Sequence, residues 1–181
     1  IRLIDCYDRT IISSSQLTRY VALSYVWAST ESLPDLAEDT THTEKSVLPK
    51  VVSQAITDAM QVTKELGFRY LWVDKYCIDQ ENEQDKLEQI AQMDTIYRAS
   101  DFTIIAAAGN DEHTGLPGVG STTRTLQPNI SWGELTVTST MPHPHHVIKG
   151  SRYMTQGWTL QESILARRRL VFTADQVYFE C

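Results

Sequence analysis

The stretch that decides the fold is residues 69–80, which read RYLWVDKYCIDQ. Apolar, aromatic and β-branched residues follow one another without interruption from Tyr70 to Val73. A continuous apolar run is typical of a strand buried on both faces, because a strand with one wet face alternates apolar and polar residues. Polar side chains begin at Asp74, directly after the run. Since ligands bind beyond the carboxyl ends of parallel strands in open α/β sheets, the sequence predicts a site at this point.

Two other segments have the same buried-strand character. Residues 20–26 are predicted to form the first buried strand, and residues 102–107 the third. Apolar residues at helical spacing lie between the strands and predict helices at 49–66 and 85–99. Strands that alternate with helices at these lengths pair in parallel through right-handed crossovers. The sequence therefore predicts a small doubly wound parallel α/β sheet.

The rest of the chain is predicted to surround this core. The elements expected are an edge hairpin within 1–19, a long polar loop at 28–46, a β-rich insertion near 110–150 with short strands at 135–139 and 146–148, a helix at 157–167, and a closing C-terminal hairpin of 170–173 with 177–180. No internal repeat or linker divides the 181 residues. We therefore predict a single domain over 1–181.

Composition limits the possible functions. The chain is 41% hydrophobic and 22% charged, as in an ordinary soluble globular protein, and no apolar run approaches the ~20 residues of a membrane span. A formal net charge of −7 disfavours a nucleic-acid partner, because binding to phosphate backbones needs accumulated Lys and Arg. The cysteines Cys6, Cys77 and Cys181 are odd in number and far apart, which disfavours a disulfide framework and indicates a reducing, intracellular location.

Three motifs could suggest other sites, and each has a simpler interpretation. The glycine-rich run GLPGVG at 115–120 lacks the Gly-Lys-Ser/Thr ending of a phosphate-binding P-loop. The run PHPHH at 142–146 is interpreted as a solvated loop, because its prolines oppose the helical spacing that presents histidines to a metal. The arginines at 167–169 suit a helix C-terminus. We therefore predict neither a metal nor a separate cofactor.

Residues 158–165 place a carboxylate on the apolar side of a helix. Trp158 and Glu162 are four apart, so they should share a face that Leu165 continues. Burial raises the pKa of a carboxyl group, and such groups are candidates for functional sites, although a salt bridge or helix cap is an equally good interpretation. For Asp74, a cap that closes the strand is favoured over a site role. For Cys77, a small buried side chain is favoured over a nucleophile.

Several longer motifs together resemble the fungal heterokaryon incompatibility (HET) domain. They are YVALSYVW at 20–27, LPKVVSQAI at 48–56, LGFRYLWVDKYCIDQ at 66–80, MDTIY at 93–97 and GWTLQE at 157–162. The sequence departs from the family pattern at Ala28, where Gly is usual, and residues 121–150 match no part of it. The resemblance implies a cytosolic effector domain of programmed cell death, triggered when fungal cells of unlike genotype fuse. Such domains are often attached to a nucleotide-binding receptor.

A more distant resemblance is to Toll/interleukin-1 receptor (TIR) domains. Their first strand ends in a similar Leu-Ser-Tyr, and a later helix carries Trp-Cys-Leu-x-Glu. Residues 158–162 keep the Trp and the Glu, with Thr159 in place of the Cys. The resemblance implies a TIR-like, flavodoxin-like fold and NAD cleavage with Glu162 as the catalytic residue. A carboxylate can stabilise the oxocarbenium character that develops when the nicotinamide–ribose bond breaks.

The substrate in this interpretation is NAD, and its contacts are expected at the ends of neighbouring strands. The predicted substrate-binding residues are Ser24, Tyr25, Trp27, Asp74, Gln80 and Trp158. The alternative is a non-catalytic signalling module that acts by self-association or by binding a receptor, and a Cys77 hydrolase ranks below both. An enzyme needs Glu162 in an open cleft shared with Ser24 and Asp74, whereas an assembly module would leave it covered and ion-paired.

Overall fold

The computed structural model describes residues 1–14, 18–27 and 47–181, without the side chains of residues 160, 161 and 163. The loop predicted at 28–46, and with it Ala28, lies outside the described residues. The strands are β1 (Arg2–Asp5), β2 (Thr10–Ser13), β3 (Tyr20–Ser24), β4 (Tyr70–Trp72), β5 (Thr103–Ala106), β6 (Asn129–Trp132), β7 (Leu135–Thr138), β8 (Arg169–Phe172) and β9 (Val177–Glu180). The helices are α1 (Gln54–Glu65), α2 (Asp74–Cys77), α3 (Glu83–Ala91), α4 (Met93–Ala99), α5 (Pro144–Lys149) and α6 (Gly157–Leu165), with a 3₁₀ turn at Arg152–Thr155.

The central sheet has the strand order β2-β1-β4-β3-β5-β8-β9. Its middle strands β4, β3, β5 and β8 are parallel, which confirms the predicted parallel core. Antiparallel hairpins close both edges, with β1–β2 on one side and β8–β9 on the other. The edge hairpin within 1–19 and the C-terminal hairpin are therefore confirmed. The chain is an α/β protein with a mostly parallel central sheet.

Helices cover both faces of this sheet. Ala22 of β3 pairs with Trp72 of β4, and the Trp72 ring meets Tyr97 of α4 edge-on with ring centroids 5.4 Å apart, so α4 lies on the face of Ala22 and Trp72. The crossover from β3 to β4 runs across the sheet in the opposite direction to the crossovers from β4 to β5 and from β5 to β8. Because crossovers are right-handed, α1 lies on the opposite face from α4 and α6.

The order of the parallel strands creates a switch point between β3 and β5. The connection that leaves β3 goes to β4 on one side, and the connection that leaves β5 goes to β8 on the other. These two connections diverge and leave a crevice outside the carboxyl ends of β3 and β5. Ligands bind at such a crevice in open α/β sheets. Ser24 is the last residue of β3 and lies at this crevice.

The predicted helix at 49–66 begins later than expected, at Gln54. Residues before it are held extended by the edge hairpin, because Leu48 N donates to Arg9 O over 2.9 Å and Arg9 Nη2 donates to Pro49 O over 2.9 Å. Burial of Leu48 stabilises this docked segment, and Pro49 is not in the helix. The helix predicted at 85–99 is two helices, because the chain bends at Gln92, where φ is −103° and ψ is 2°.

The β-rich insertion contains a separate hairpin, β6–β7, which confirms the strand predicted near 135–139. The strand predicted at 146–148 is wrong, because these residues belong to α5. Pro144 is the first residue of that helix, a position where proline is tolerated because its missing N–H would have no partner there. The histidine run is thus partly helical, and the expectation that its prolines prevent a helix is wrong. In the described part of the chain, no helix combines the length and apolarity that a bilayer span requires.

Candidate functional site

A buried carboxyl group at the switch point is bound by hydroxyl groups. Glu162 lies on α6 and is only 3% exposed. Its Oε2 is 2.5 Å from Ser24 Oγ, which in turn is 2.7 Å from the Tyr153 hydroxyl oxygen. Tyr153 donates to Thr159 O over 3.0 Å, so a continuous chain of contacts runs from Glu162 back to its own helix. Ser24, Tyr153 and Thr159 are all buried, so water does not compete for these contacts.

Whether every contact in this series of hydrogen bonds has a proton depends on the ionisation state of Glu162. Tyr153 must donate its proton to Thr159 O, because a carbonyl only accepts. Ser24 can then donate to Tyr153 or to Glu162, but not to both. An ionised Glu162 therefore leaves one of the contacts without a proton. A protonated Glu162 donates to Ser24, Ser24 donates to Tyr153, and every contact is satisfied.

The electrostatics of Glu162 agree with a protonated carboxyl. Burial is the main cause, and with the negative charge of Asp74 it raises the pKa of Glu162 to about 8, although contacts with Ser24 and Tyr97 act in the opposite direction. No Lys, Arg or His among the described residues forms an ion pair with it. The Tyr97 hydroxyl donates to Leu23 O over 3.3 Å, beside the same strand end. Glu162 is thus poised to gain or lose a proton near neutral pH.

Asp74 is a second perturbed carboxyl group at this edge. It begins α2, accepts from Lys75 N over 2.7 Å and accepts from Trp27 Nε1 over 3.0 Å. Burial raises the pKa of Asp74 to about 6, against the lowering effect of these donors. Within the described part of the chain, the hydroxyl of the buried Tyr25 makes no hydrogen bond of standard geometry, but it lies close enough to Asp74 to lower the pKa of Asp74. Asp74 therefore acts both as a local cap and as part of the polar cluster.

Glu112 completes this cluster and was not predicted from the sequence. It is 6% exposed, its Oε1 lies 3.3 Å from Lys75 Nζ, and its buried Oε2 has no hydrogen-bond partner among the described residues. Its negative charge helps to raise the pKa of Asp74. The signal that could have identified it is its position, six residues after β5 and at the same edge of the sheet as Asp74. Its burial could not be predicted, because Glu112 lies in a loop and loops lack the apolar periodicity that indicates a buried face.

The structure brings most of the predicted site residues together, with one exception. Ser24 contacts Glu162, while Tyr25 and Trp27 surround Asp74, and the Gln80 side chain donates to Asp74 O over 3.2 Å. The exception is Trp158, which is 56% exposed and whose side chain forms no hydrogen bond with the described residues.

The prediction that Trp158 shares the buried face of Glu162 is wrong. The buried side chain one turn before Glu162 is Thr159, and Ala166 is buried one turn after it. Spacings of three and four define this stripe, so Trp158 falls at its solvent edge. Thr159 is fixed there because its one hydroxyl proton lies within hydrogen-bond reach of both Tyr153 O and Gln156 O, the latter at 2.9 Å from the hydroxyl oxygen. Sequence spacing alone could not choose between the two neighbouring stripes.

The described residues support neither a nucleophilic Cys77 nor a metal-binding group. Burial raises the pKa of the Cys77 thiol to about 12, so the reactive thiolate is strongly disfavoured at neutral pH. The described residues contain no group of three His, Cys, Asp or Glu arranged to hold a metal ion. The absence of a metal in the active protein stays a prediction.

The chain is similar to proteins of one family. A family model described as "Heterokaryon incompatibility protein (HET)" matches residues 20–162. A Neurospora crassa protein named "Heterokaryon incompatibility protein 6, OR allele" is 24% identical over 93 residues, which is 48% of this chain and 14% of that protein's length. No solved structure is significantly similar to the chain. The family match covers most of the chain and includes both Ser24 and Glu162, so the chain belongs to the heterokaryon incompatibility (HET) family.

Proposed function

We propose that this chain is a cytoplasmic cell-death effector domain of fungal heterokaryon incompatibility that cleaves NAD at the nicotinamide–ribose bond. Membership of the HET family and the name of the Neurospora crassa relative support the biological role. The observation that carries the proposed chemistry is the Glu162–Ser24 contact, which places a carboxyl without an ion pair among the described residues at the switch point of a parallel sheet. Counted among themselves, the parallel strands have the order 2-1-3-4 of flavodoxin-like sheets, which supports the proposed TIR-like, flavodoxin-like fold.

Glu162 is suited to respond to a cationic substrate. A pKa of about 8 keeps the free carboxyl mainly protonated at pH 7. The nicotinamide ring of NAD carries a positive charge, and an opposite charge within a few ångströms favours the ionised carboxylate. Substrate binding would therefore release the proton from Glu162. Ser24 would remain as a hydrogen-bond donor that orients the carboxylate.

In the proposed reaction the bond between ribose C1′ and the nicotinamide nitrogen breaks, and its electron pair leaves with nicotinamide. The Glu162 carboxylate stabilises the positive charge that develops on the ribose. Water then adds to C1′ and loses a proton, which gives ADP-ribose and nicotinamide. Trp27 is 40% exposed at the same edge of the sheet and offers an indole face for the nicotinamide ring. Trp158 has no role in this proposal.

A second candidate function is a non-catalytic module that triggers cell death through contacts with copies of itself or with a receptor. One observation favours it: Glu162 is only 3% exposed, so a substrate reaches the carboxyl only if neighbouring groups move. Self-association and a nucleotide-binding receptor are partners under this alternative. The two candidates differ in whether purified protein releases nicotinamide.

The test is Glu162→Gln, with Glu134→Gln at the exposed tip of the β6–β7 hairpin as the matched control. We expect the Glu162 variant to lose NAD cleavage by about a hundredfold or more, because one stabilising charge at a developing cation contributes ~3 kcal/mol. Its melting temperature should be unchanged or higher, since no cation among the described residues is left unpaired. Nicotinamide release and thermal unfolding are measured on the same samples.

Undiminished cleavage in a folded Glu162→Gln protein would remove Glu162 from the catalytic role. A wild-type protein that releases no nicotinamide, even when fused to an oligomerising scaffold, would support the assembly module instead. Loss of activity in Glu134→Gln as well would show that the effect is not specific to the buried carboxyl.

A further inference from the structure

A cavity of about 490 Å³ opens at the carboxyl edge of the sheet, beyond the ends of β5 and β8. This volume is within the range of ligand-binding cavities. The lining residues are Gln54, Ala108, His113, Thr114, Pro117, Ser121, Thr122, Thr123, Thr125 and Ala174. Ser24 ends β3, the neighbour of β5, so the cavity and the Glu162 site lie at the same edge of the sheet. Gln54 of α1 lines the cavity and Glu162 lies on α6, so the two sites face each other across that edge from opposite faces of the sheet.

The walls of the cavity are held in place by a buried carboxylate. Asp58 of α1 is 1% exposed and accepts from Leu116 N over 2.8 Å, from Thr122 Oγ1 over 2.6 Å and from Gln54 Nε2 over 2.7 Å. Gly115 has a φ of +74°, and a Cβ there would lie 2.6 Å from Asp58 Oδ2. The wall therefore requires glycine at this position for the close approach. A second contact, from Thr125 N to Ala174 O over 3.1 Å, ties the wall to the end of β8.

The lining presents hydrogen-bond donors and no carboxylate, although the protein carries a formal charge of −7. Within the described residues, the hydroxyls of Ser121, Thr123 and Thr125 and the His113 ring form no hydrogen bond. These donors are therefore available to a ligand. The lining itself presents no carboxylate to a negatively charged ligand, while Asp58 and Asp111 lie behind it and accept from Thr122 and Thr114.

A cation flanks two of the lining residues in sequence. Arg124 is between the lining residues Thr123 and Thr125, and its guanidinium lies against Gly118, next to the lining residue Pro117. Arg124 forms no ion pair in the ranges 1–14, 18–27 and 47–181. Guanidinium and hydroxyl groups together are the usual donors to phosphate oxygens.

We propose that this cavity binds the phosphate groups of a phosphorylated ribose, with Arg124, Thr123 and Thr125 as donors. Resting on the proposed function, we assign the ligand as the pyrophosphate and adenosine side of NAD. The nicotinamide end would then reach toward Glu162 across the switch point. Recognition is by side chains on the wall. The glycine-rich run at 115–120 acts by shaping that wall, which is consistent with its lack of a P-loop ending.

The test is calorimetric titration of the protein with ADP-ribose, inorganic pyrophosphate and adenosine. We expect ADP-ribose to bind about tenfold or more tightly than adenosine, and pyrophosphate to compete with it, because charge-assisted hydrogen bonds to phosphate contribute most of the affinity. Arg124→Ala should weaken ADP-ribose binding about tenfold or more and leave adenosine binding unchanged. Thr123→Val should act in the same direction to a smaller extent. Arg98→Ala, an exposed arginine on α4, is the matched control and should change neither.

Failure of wild-type protein to bind ADP-ribose, or equal binding by Arg124→Ala, would overturn the inference. The proposed function fails separately. Protein that binds ADP-ribose through Arg124 without cleaving NAD would overturn the cleavage reaction and keep the phosphate site. If wild type and Arg124→Ala both cleave NAD with the same KM, the phosphate site would be overturned and the cleavage reaction would be kept.

Discussion

Glu162 is buried without a cation partner among the described residues, and burial sets its protonation state. A cation would have lowered its pKa, whereas burial raises it even though the Ser24 hydroxyl contact acts in the opposite direction. The carboxyl is therefore retained as a titrating group inside the fold. Its burial could be predicted from helical spacing, because a short amphipathic helix has one buried side. Its hydroxyl partner could not, because Ser24 is 138 residues away in the chain and meets Glu162 only in the folded protein.

The pH dependence of stability tests this protonation. The pKa of Glu162 is about 8 in the folded protein and 4.5 as the ordinary value, so the folded state binds more protons between these two pH values. The free energy of unfolding should therefore fall as pH rises through this window, by up to about 1.4 kcal/mol per pH unit. Asp74 makes the free energy of unfolding fall with rising pH in the same way, but only between pH 3.8 and about pH 6. Urea unfolding at pH 6, 7 and 8 measures the slope.

Glu162→Gln should have a shallower slope from pH 6 to 8 than wild type, while Glu134→Gln should keep the wild-type slope. Parallel slopes in wild type and Glu162→Gln would contradict a protonated carboxyl at this position.

Secondary-structure elements were predictable where one local pattern dominated. Continuous apolar runs identified β3, β4 and β5 because these strands are buried on both faces. Boundaries failed where tertiary contacts decide, as at Leu48, which docks on the edge hairpin and delays the start of α1. The strand order could not be predicted, because the position of β3 between β4 and β5 depends on pairing across 50 to 81 residues.

Asp58 joins α1 to the wall of the 490 Å³ cavity, so replacing it tests how this helix and the wall stabilise each other. Asp58→Ala removes the acceptor for three donors and leaves the N–H of the fully buried Leu116 without a partner. We expect a loss of about 3 kcal/mol or more in the free energy of unfolding, measured by urea denaturation. Asp58→Asn keeps the size and one acceptor and should lose less. Equal stability of wild type and Asp58→Ala would show that the wall is not anchored by this residue.

At the level of the whole molecule, the buried thiols report whether the chain unfolds as one unit. Cys6 follows β1 and Cys77 ends α2, and both belong to the main hydrophobic core, whereas Cys181 is exposed. Burial raises the pKa of both core thiols to about 12, so they should react only after unfolding.

Treatment of native protein with iodoacetamide should modify Cys181 rapidly and the other two slowly. Mass spectrometry should then find Cys6 and Cys77 modified at the same rate, because a single cooperative domain exposes both together. Faster labelling of Cys6 alone would show that the edge hairpin opens independently, and it would contradict the predicted single domain over 1–181.

The β6–β7 hairpin leaves and rejoins the chain at one place, since Ser139 N donates to Pro128 O over 2.9 Å. All of its strand residues are exposed, and its sheet is separate from the central one. Lengthening an excursion whose ends already meet changes only the entropy of loop closure, about 0.6 kcal/mol for each doubling in length. This junction is therefore a permissive insertion point, where evolution or an engineer can exchange a segment, such as an epitope or a whole small domain, while the central sheet stays as it is.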